Sequence, residues 1–295
     1  MTPRAEAELA AAYRQCRRLN AVHGKTFYLA TALLPAAKRP HIHALYGFAR
    51  YADDLVDHPE PGRTPAASLA ELRLDLEAAL AGRHASHPVA QAAAATIRRY
   101  RIDERHIGDF LASMTCDITV DRYQTFDDLL GYMWGSAAVI GLLTLPILGV
   151  VGDDEAARQC AADLGIAFQL TNFIRDIGED YRRGRIYLPL DSLTDHGVTD
   201  QMLGAGVSSP QVRELVAAEI ERAREYYRRA APGVGLLAPS SRDCVGVAAV
   251  LYGEILDEIE RRGYEVLAER AKVPRRRRLR VGAAGYVRAV AARRG

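Results

Sequence analysis

The sequence predicts an all-α protein folded as a single domain. Three observations lead there. Apolar residues recur at helical spacing almost everywhere along the chain. No sustained apolar–polar alternation appears, and no β-branched run is bounded by turns. Alanine, the best helix former, is abundant. A first helix is expected over about residues 4–20, and a short one over 26–34 that Pro35 stops. The next covers 36–57 and breaks at HPEPGRTP, residues 58–65. Helices at 66–81, 88–100 and 104–119 follow, then one over 126–148 perturbed at Pro146. A long helix is expected at 154–180. YRRGRIYLPLDSL (181–193) reads as a loop and a short turn of helix. Three more fit 209–230, 240–262 and 276–292. GAGVSSP (204–210) and PGVG (232–235) read as connections, too short to separate independent units. Residues 1–295 therefore read as one domain, with a basic C-terminal tail from about 274 to 295.

Bulk composition narrows the function classes. With 295 residues and 49% hydrophobic content the chain can bury a large core. A net charge of +2 does not point to nucleic acid. Four cysteines, Cys16, Cys116, Cys160 and Cys244, stand far apart with no CxxC pair, against a zinc site or a disulfide framework and consistent with a reducing cytosol. The charged N-terminus lacks the apolar stretch of a signal peptide. The longest apolar run, Ala137 to Val151, contains Pro146 and is shorter than the roughly 20 residues that span a bilayer, so it reads as a buried core helix. A cytoplasmic protein is expected. The basic run PRRRRLR (274–280), with Arg288, Arg293 and Arg294, suits either a solvated helix or peripheral contact with anionic lipid at the inner face of the plasma membrane. No obligate protein partner is evident.

The chemistry-bearing signal is a repeated acid pair. ARYADDLVD (49–57) holds Asp53 and Asp57, and Asp176-Ile177-Gly178-Glu179-Asp180 repeats the spacing. Residues four apart lie about 40° past one full helical turn, so both carboxylates leave one face. Like charges at this spacing destabilise a helix. One such pair is ordinarily a solvated face. Two, each ending an apolar helix, suggest a cation that relieves the repulsion, and hard divalent cations take carboxylate oxygens. Arg50 and Arg175 precede the pairs, and Arg182, Arg183 and Arg185 follow the second. Guanidinium forks suit phosphate, although salt bridges to the acids are the plainer reading. Gln169, Asn172 and Asp176 share one helix face.

These residues resemble a known family. YGFARYADDLVD (46–57) and LGIAFQLTNFIRDIGEDYRRGRIYLP (164–189) look like the two signature segments of the squalene and phytoene synthases. HGKTFYLATALLP (23–35), YMWGSAAVIGLL (132–143) and LYGEILDEIERRGYEVL (251–267) resemble the family's flap, its small-residue pocket helix and its C-terminal helix pair. Within the family the sequence is most similar to bacterial, actinobacterial-type phytoene synthases. The resemblance implies an isoprenoid-synthase helical bundle around a central cavity. It implies Mg²⁺, with Mn²⁺ as an alternative, held by Asp53, Asp57, Asp176 and Asp180 against diphosphate. Arg50, Arg175 and Tyr187 match residues that contact the diphosphates or their metals, and Gln169 and Asn172 match inner polar residues. Tyr46 and Tyr132 match cavity tyrosines near the reacting carbons. Thr26 and Phe27 match the flap, and Tyr252 and Arg276 the C-terminal side of the site. Gly24 departs from the serine of many relatives, and Trp134 and Ala138 also vary.

The activity so implied is head-to-head condensation of two geranylgeranyl diphosphates, through prephytoene diphosphate, to phytoene, without NADPH. The alternative is a C30 synthase making squalene, presqualene diphosphate or diapophytoene from farnesyl diphosphate. Squalene synthases finish with NADPH hydride, and no GxGxxG fingerprint appears. Thr31 lies one helical turn beyond Phe27, and His43 about 15 Å along the helix from Asp53. If both face the cavity floor, their modest size leaves room for C20 tails.

Overall fold

A computed structural model describes residues 3–292. Arg293 and Arg294 lie outside the described residues. The elements in chain order are α1 (Pro3–His23), α2 (Lys25–Thr31), α3 (Arg39–Asp57), α4 (Pro65–Leu80), α5 (Pro88–Tyr100), α6 (Glu104–Cys116) and α7 (Phe126–Met133). A π-helical turn (Trp134–Ala138) leads into α8 (Val139–Leu148). Then come α9 (Asp154–Arg182), α10 (Leu190–Asp195), α11 (Asp200–Gly204), α12 (Pro210–Ala230), α13 (Gly233–Leu236), α14 (Pro239–Arg261) and α15 (Arg275–Ala292). Among the described residues there is no strand, only isolated bridges at Arg122–Ile186 and Val150–Leu237.

The helix starts follow local chemistry. Thr64, Asp103, Thr125, Asp153 and Ser209 each accept a backbone N–H of the first turn, satisfying donors that a helix start leaves free. Pro65, Pro210 and Pro239 stand at first helical positions, where a missing N–H costs nothing. α9 is the spine of the bundle. It packs on α12 along one side, and on α8, the π turn and α14 along the others. α1, α3 and α5 form a second layer around Phe48, Leu72 and Ile97. The 126–148 run is long and apolar enough to cross a membrane by length and composition. Here its Leu129, Met133, Val139 and Ile147 are buried in the core.

Several expectations change. The 126–148 helix is perturbed at residues 134–138, not at Pro146. Ser113 Oγ donates to the Tyr132 carbonyl at 3.2 Å just before the π turn, giving that carbonyl a partner outside the helix. Pro146 falls in the last turn of α8, so its missing N–H removes a single bond, and the helix ends only at Leu148. That end is closed by Lys38 Nζ at 2.6 Å and Ser241 Oγ at 2.7 Å, both donating to the Leu148 carbonyl. Of the two connecting segments, GAGVSSP begins on the last residue of the one-turn helix α11, and PGVG itself forms most of the one-turn helix α13; both helices are too short to show periodicity. The second helix ends at Thr31, and turns carry the chain to α3 at Arg39.

Gly178, inside the second acid cluster, has a packing reason. A Cβ there would sit 2.4 Å from the Leu267 carbonyl oxygen. The segment after α14 thus lies directly on α9. Gly178→Ala is expected to cost about 1–3 kcal/mol, the usual range for overpacking against backbone. A thermal melt reads this, and an unchanged midpoint would refute the contact.

Candidate active site

One cavity of about 690 Å³ runs through the bundle, lined by α2, α3, α8, α9, α14 and the π turn. Its two ends differ in chemistry. One end carries Asp53, Asp57, Asp117, Asp176, Glu179 and Asp180 with Arg50, Arg175, Arg183, Arg185 and Arg270. The other is walled by Ala30, Thr31, Ile140, Leu145, Leu148 and Ala248.

The acids are held in an arginine frame. Arg50 donates to Asp53 at 2.9 Å and also pairs with Asp54, which does not line the cavity. Arg175 forks onto Asp176 at 2.8 and 2.6 Å. Beyond α9, Arg183 and Arg185 reach back to Asp57 on α3, at 3.1 and 2.8 Å, and so tie the two acid helices together. Arg270 bridges Asp176 at 2.6 Å and Glu179 at 2.9 Å. Arg182 is exposed and does not line the cavity.

Charge compensation is incomplete. Burial, and then the neighbouring Asp57, push the Asp53 carboxyl up to about 6. Burial, and then Asp176, push Asp180 up to about 7. Asn172 donates to Gln169 Oε1 at 3.4 Å, and its own Oδ1 is buried without a partner. Among the described residues, no three His, Cys, Asp or Glu side chains gather closely enough to enclose a metal unaided. The donors are all oxygen and the shell is open, which suits a hard cation that shares its coordination with water and a phosphate ligand.

Aromatic rings stand on two walls. Phe27 stacks on Tyr252 at 4.8 Å and lies 6.2 Å from Tyr46. Opposite them by sequence origin, Tyr187 stacks on Phe173 at 4.2 Å, with Tyr132 6.0 Å away. Gly24 does not line the cavity, but it explains Tyr46. A Cβ at 24 would meet the Tyr46 ring at 2.6 Å and Asn20 Oδ1 at 2.7 Å.

Thirteen of the fifteen site residues expected from sequence line this one cavity; Thr26 and Arg276 do not. Thr26 is half-buried on α2, beside Phe27, which does. Arg276 lines a separate surface pocket of about 560 Å³ with Glu254, Asp257, Arg261 and Arg280. The arginine that reaches the acids from this side is Arg270, because the chain turns back across Gly178 before α15 begins. Thr31 faces the cavity as expected. His43 does not: it is buried beside Asn20, whose amide lies 3.0 Å away, and stacks on Tyr28. Trp134 is exposed, its indole N–H donating to Asp109, and Ala138 is buried outside the cavity lining.

Residues 20–277 match the squalene/phytoene synthase family. This chain belongs to that family. It is 41% identical over 273 residues to phytoene synthase of Arthrospira platensis, covering 89% of this chain and 88% of that one. It is 38% identical to 15-cis-phytoene synthase of Synechococcus elongatus, covering 94% and 92%. A crystal structure of a dehydrosqualene synthase in complex with ligand superposes with a TM-score of 0.87 at 27% identity, covering 97% and 99%. Among the acids and arginines that line the cavity of this squalene/phytoene synthase family member, two lie outside the signature segments: Asp117 and Arg270. A carboxylate at a helix C-terminus, as in LASMTCD (111–117), is the one local signal for Asp117.

Proposed function

We propose that the protein joins two geranylgeranyl diphosphates head to head, through prephytoene diphosphate, to phytoene, releasing both diphosphates. The observation that carries this reading is the two-ended cavity. Carboxylates and guanidiniums stand at one end, and the other is walled by apolar side chains, a lining that suits prenyl tails. The relatives at 41% and 38% identity are named phytoene synthases, which supports the C40 product. The C30 alternative has the dehydrosqualene synthase likeness in its favour, at the lower identity of 27%.

Asp53, Asp57, Asp176 and Asp180, with Asn172 Oδ1, would hold Mg²⁺. Bound there, the cation supplies Lewis-acid stabilisation of charge on the leaving diphosphate. The arginines do the complementary work: Arg50, Arg175, Arg183 and Arg185 offer N–H forks to diphosphate oxygens. The apolar walls keep water from an allylic cation, and the faces of Tyr46 and Tyr132 steady it. Each of the two carbon–carbon bond-forming stages ends in loss of a proton, so no hydride donor enters the balance. The exposed Leu279, Tyr286 and Val287 on α15, beside its arginines, would suit a membrane surface that supplies greasy substrate.

The test is incubation of the purified chain with geranylgeranyl or farnesyl diphosphate and Mg²⁺, without NADPH, followed by hydrocarbon extraction. A C40 hydrocarbon from the C20 substrate is expected. Condensation of the C15 substrate alone would move the assignment to the C30 branch.

Metal dependence carries its own pH signature. A carboxyl raised to about 6 or 7 is ionised above that value and protonated below it. Without metal, the folded chain takes up these protons before the unfolded chain does, so acidification from neutrality toward the ordinary carboxylate range stabilises this part of the fold. Protons and Mg²⁺ then compete for the same oxygens. The rise in melting temperature on adding Mg²⁺ is expected to be largest near about pH 8 and to shrink below about pH 6. A Mg²⁺ effect that grows on acidification would contradict this site.

A further inference from the structure

We propose that Asp117 is a positioning residue that sets the direction of two cavity tyrosines, so that their hydroxyl protons point away from the reacting carbons. This rests on the reaction proposed above. Asp117 follows the last turn of α6 and is 9% exposed. Its Oδ2 accepts the Tyr132 hydroxyl at 2.7 Å, and its Oδ1 accepts the Tyr187 hydroxyl at 3.4 Å. Its backbone carbonyl accepts from Arg185 Nη2 at 3.2 Å, and the same guanidinium holds Asp57. One carboxylate thus links two aromatic side chains to the arginine frame of the acid end.

The placement is costly, which argues against a merely structural cap. A helix C-terminus carries partial negative charge, so a carboxylate there is unfavourable even when exposed. Burial adds to the cost and pushes the group up to about 6. What the position gains is control of a ring cluster. Tyr123, Tyr132, Phe173 and Tyr187 stand with centroids 4.2 to 6.4 Å apart around it.

The chemical consequence follows from the hydrogen-bond inventory. A phenol has one proton to donate and oxygen lone pairs besides. With the Tyr132 and Tyr187 protons both given to Asp117, the Tyr132 oxygen offers only lone pairs and ring face to the cavity, and the Tyr187 oxygen also accepts from Arg185 Nη1 at 3.4 Å. Those groups attract a carbocation and cannot protonate a substrate double bond. Loss of Asp117 frees the Tyr132 hydroxyl to rotate, leaves the Tyr187 hydroxyl only its contact with Arg185, and opens a polar hole that water fills.

The test compares Asp117→Ala, Asp117→Asn, Tyr132→Phe and the Asp117→Asn/Tyr132→Phe double variant, on whichever allylic diphosphate the wild type turns over. The readout is the split of product among hydrocarbon, released cyclopropyl diphosphate and water-quenched alcohol. Asp117→Ala and Asp117→Asn are expected to raise the last two fractions several-fold and to lower kcat more than they change KM. The double variant is expected to be no worse than the poorer single one, because both changes break one linkage. Additive losses, or a wild-type product split in Asp117→Ala, would overturn the assignment. A crystal structure of Asp117→Ala tests the positioning without turnover. Displaced or multiply placed Tyr132 and Tyr187 rings support it, and two unmoved rings refute it, even if the wild type rejects every diphosphate and the functional reading fails.

Discussion

Asp53→Ala is expected to lower turnover of geranylgeranyl diphosphate by about 10³-fold or more while leaving the melting temperature unchanged or higher. Metal-type stabilisation of leaving-group charge is worth several kcal/mol, and each ~1.4 kcal/mol is a factor of ten in rate. The fold is spared for a local reason. Arg50 keeps Asp54 as a partner when Asp53 is removed, the Asp53 side chain is 43% exposed so little packing is lost, and the neighbouring Asp57 loses a like charge. Asp176 behaves differently. It answers both Arg175 and Arg270, and Arg175 has only 21% of its side chain exposed. Asp176→Ala leaves those guanidiniums without it, and breaking a buried pair in this way costs about 3–5 kcal/mol. Turnover and stability fall together there, whereas Asp176→Asn, which keeps the shape, is expected to lose mainly turnover. Initial rates beside thermal melts separate the two cases. Asp53→Ala protein working within tenfold of wild type would remove the acid pairs from the mechanism.

Thr31→Phe is expected to shift the substrate preference from C20 toward C15. Thr31 is 2% exposed, on the cavity side of α2, in the apolar half of the channel. A phenyl ring there takes space that the last isoprene unit of a C20 tail needs. A single methylene in an apolar pocket is worth about 1–3 kcal/mol, or 10–200-fold in discrimination. Excluding a five-carbon unit is therefore expected to change the kcat/KM ratio by at least about tenfold. The control is His43→Phe. That side chain lies outside the cavity against Asn20 and Tyr28, so it is expected to change stability and leave chain length alone. A ratio unmoved by Thr31→Phe, or moved equally by both, would show that the channel ends elsewhere.

The helices and the acid pairs were legible in the sequence because both are local. Helical spacing and a four-residue offset are decided within a turn or two of chain. The α5 boundaries, Pro88 to Tyr100, follow from a proline start and the end of the apolar stripe. What escaped depends on contacts across the fold. The π turn at 134–138 adjoins α6, and nothing within WGSAA announces it. Arg270 rather than Arg276 reaches the acids because of how 263–274 crosses α9. That path includes Tyr264 at a φ of 62°, a backbone state that periodicity does not encode. His43 and Thr31 were paired by distance along their helices, yet helix rise does not say which face meets the cavity. Asp117 stood alone in its segment, and its two tyrosine partners come from positions 15 and 70 residues away.

The contact between Gly24 and the Tyr46 ring makes these two positions epistatic. Replacing Gly24 by serine would, taken singly, drive Cβ into the ring and into Asn20. A variant library scored one substitution at a time would therefore record position 24 as intolerant. The same serine becomes accessible only in a background where Tyr46 or Asn20 has already yielded space, so the order in which such changes arise constrains which neighbouring sequences this lineage can reach.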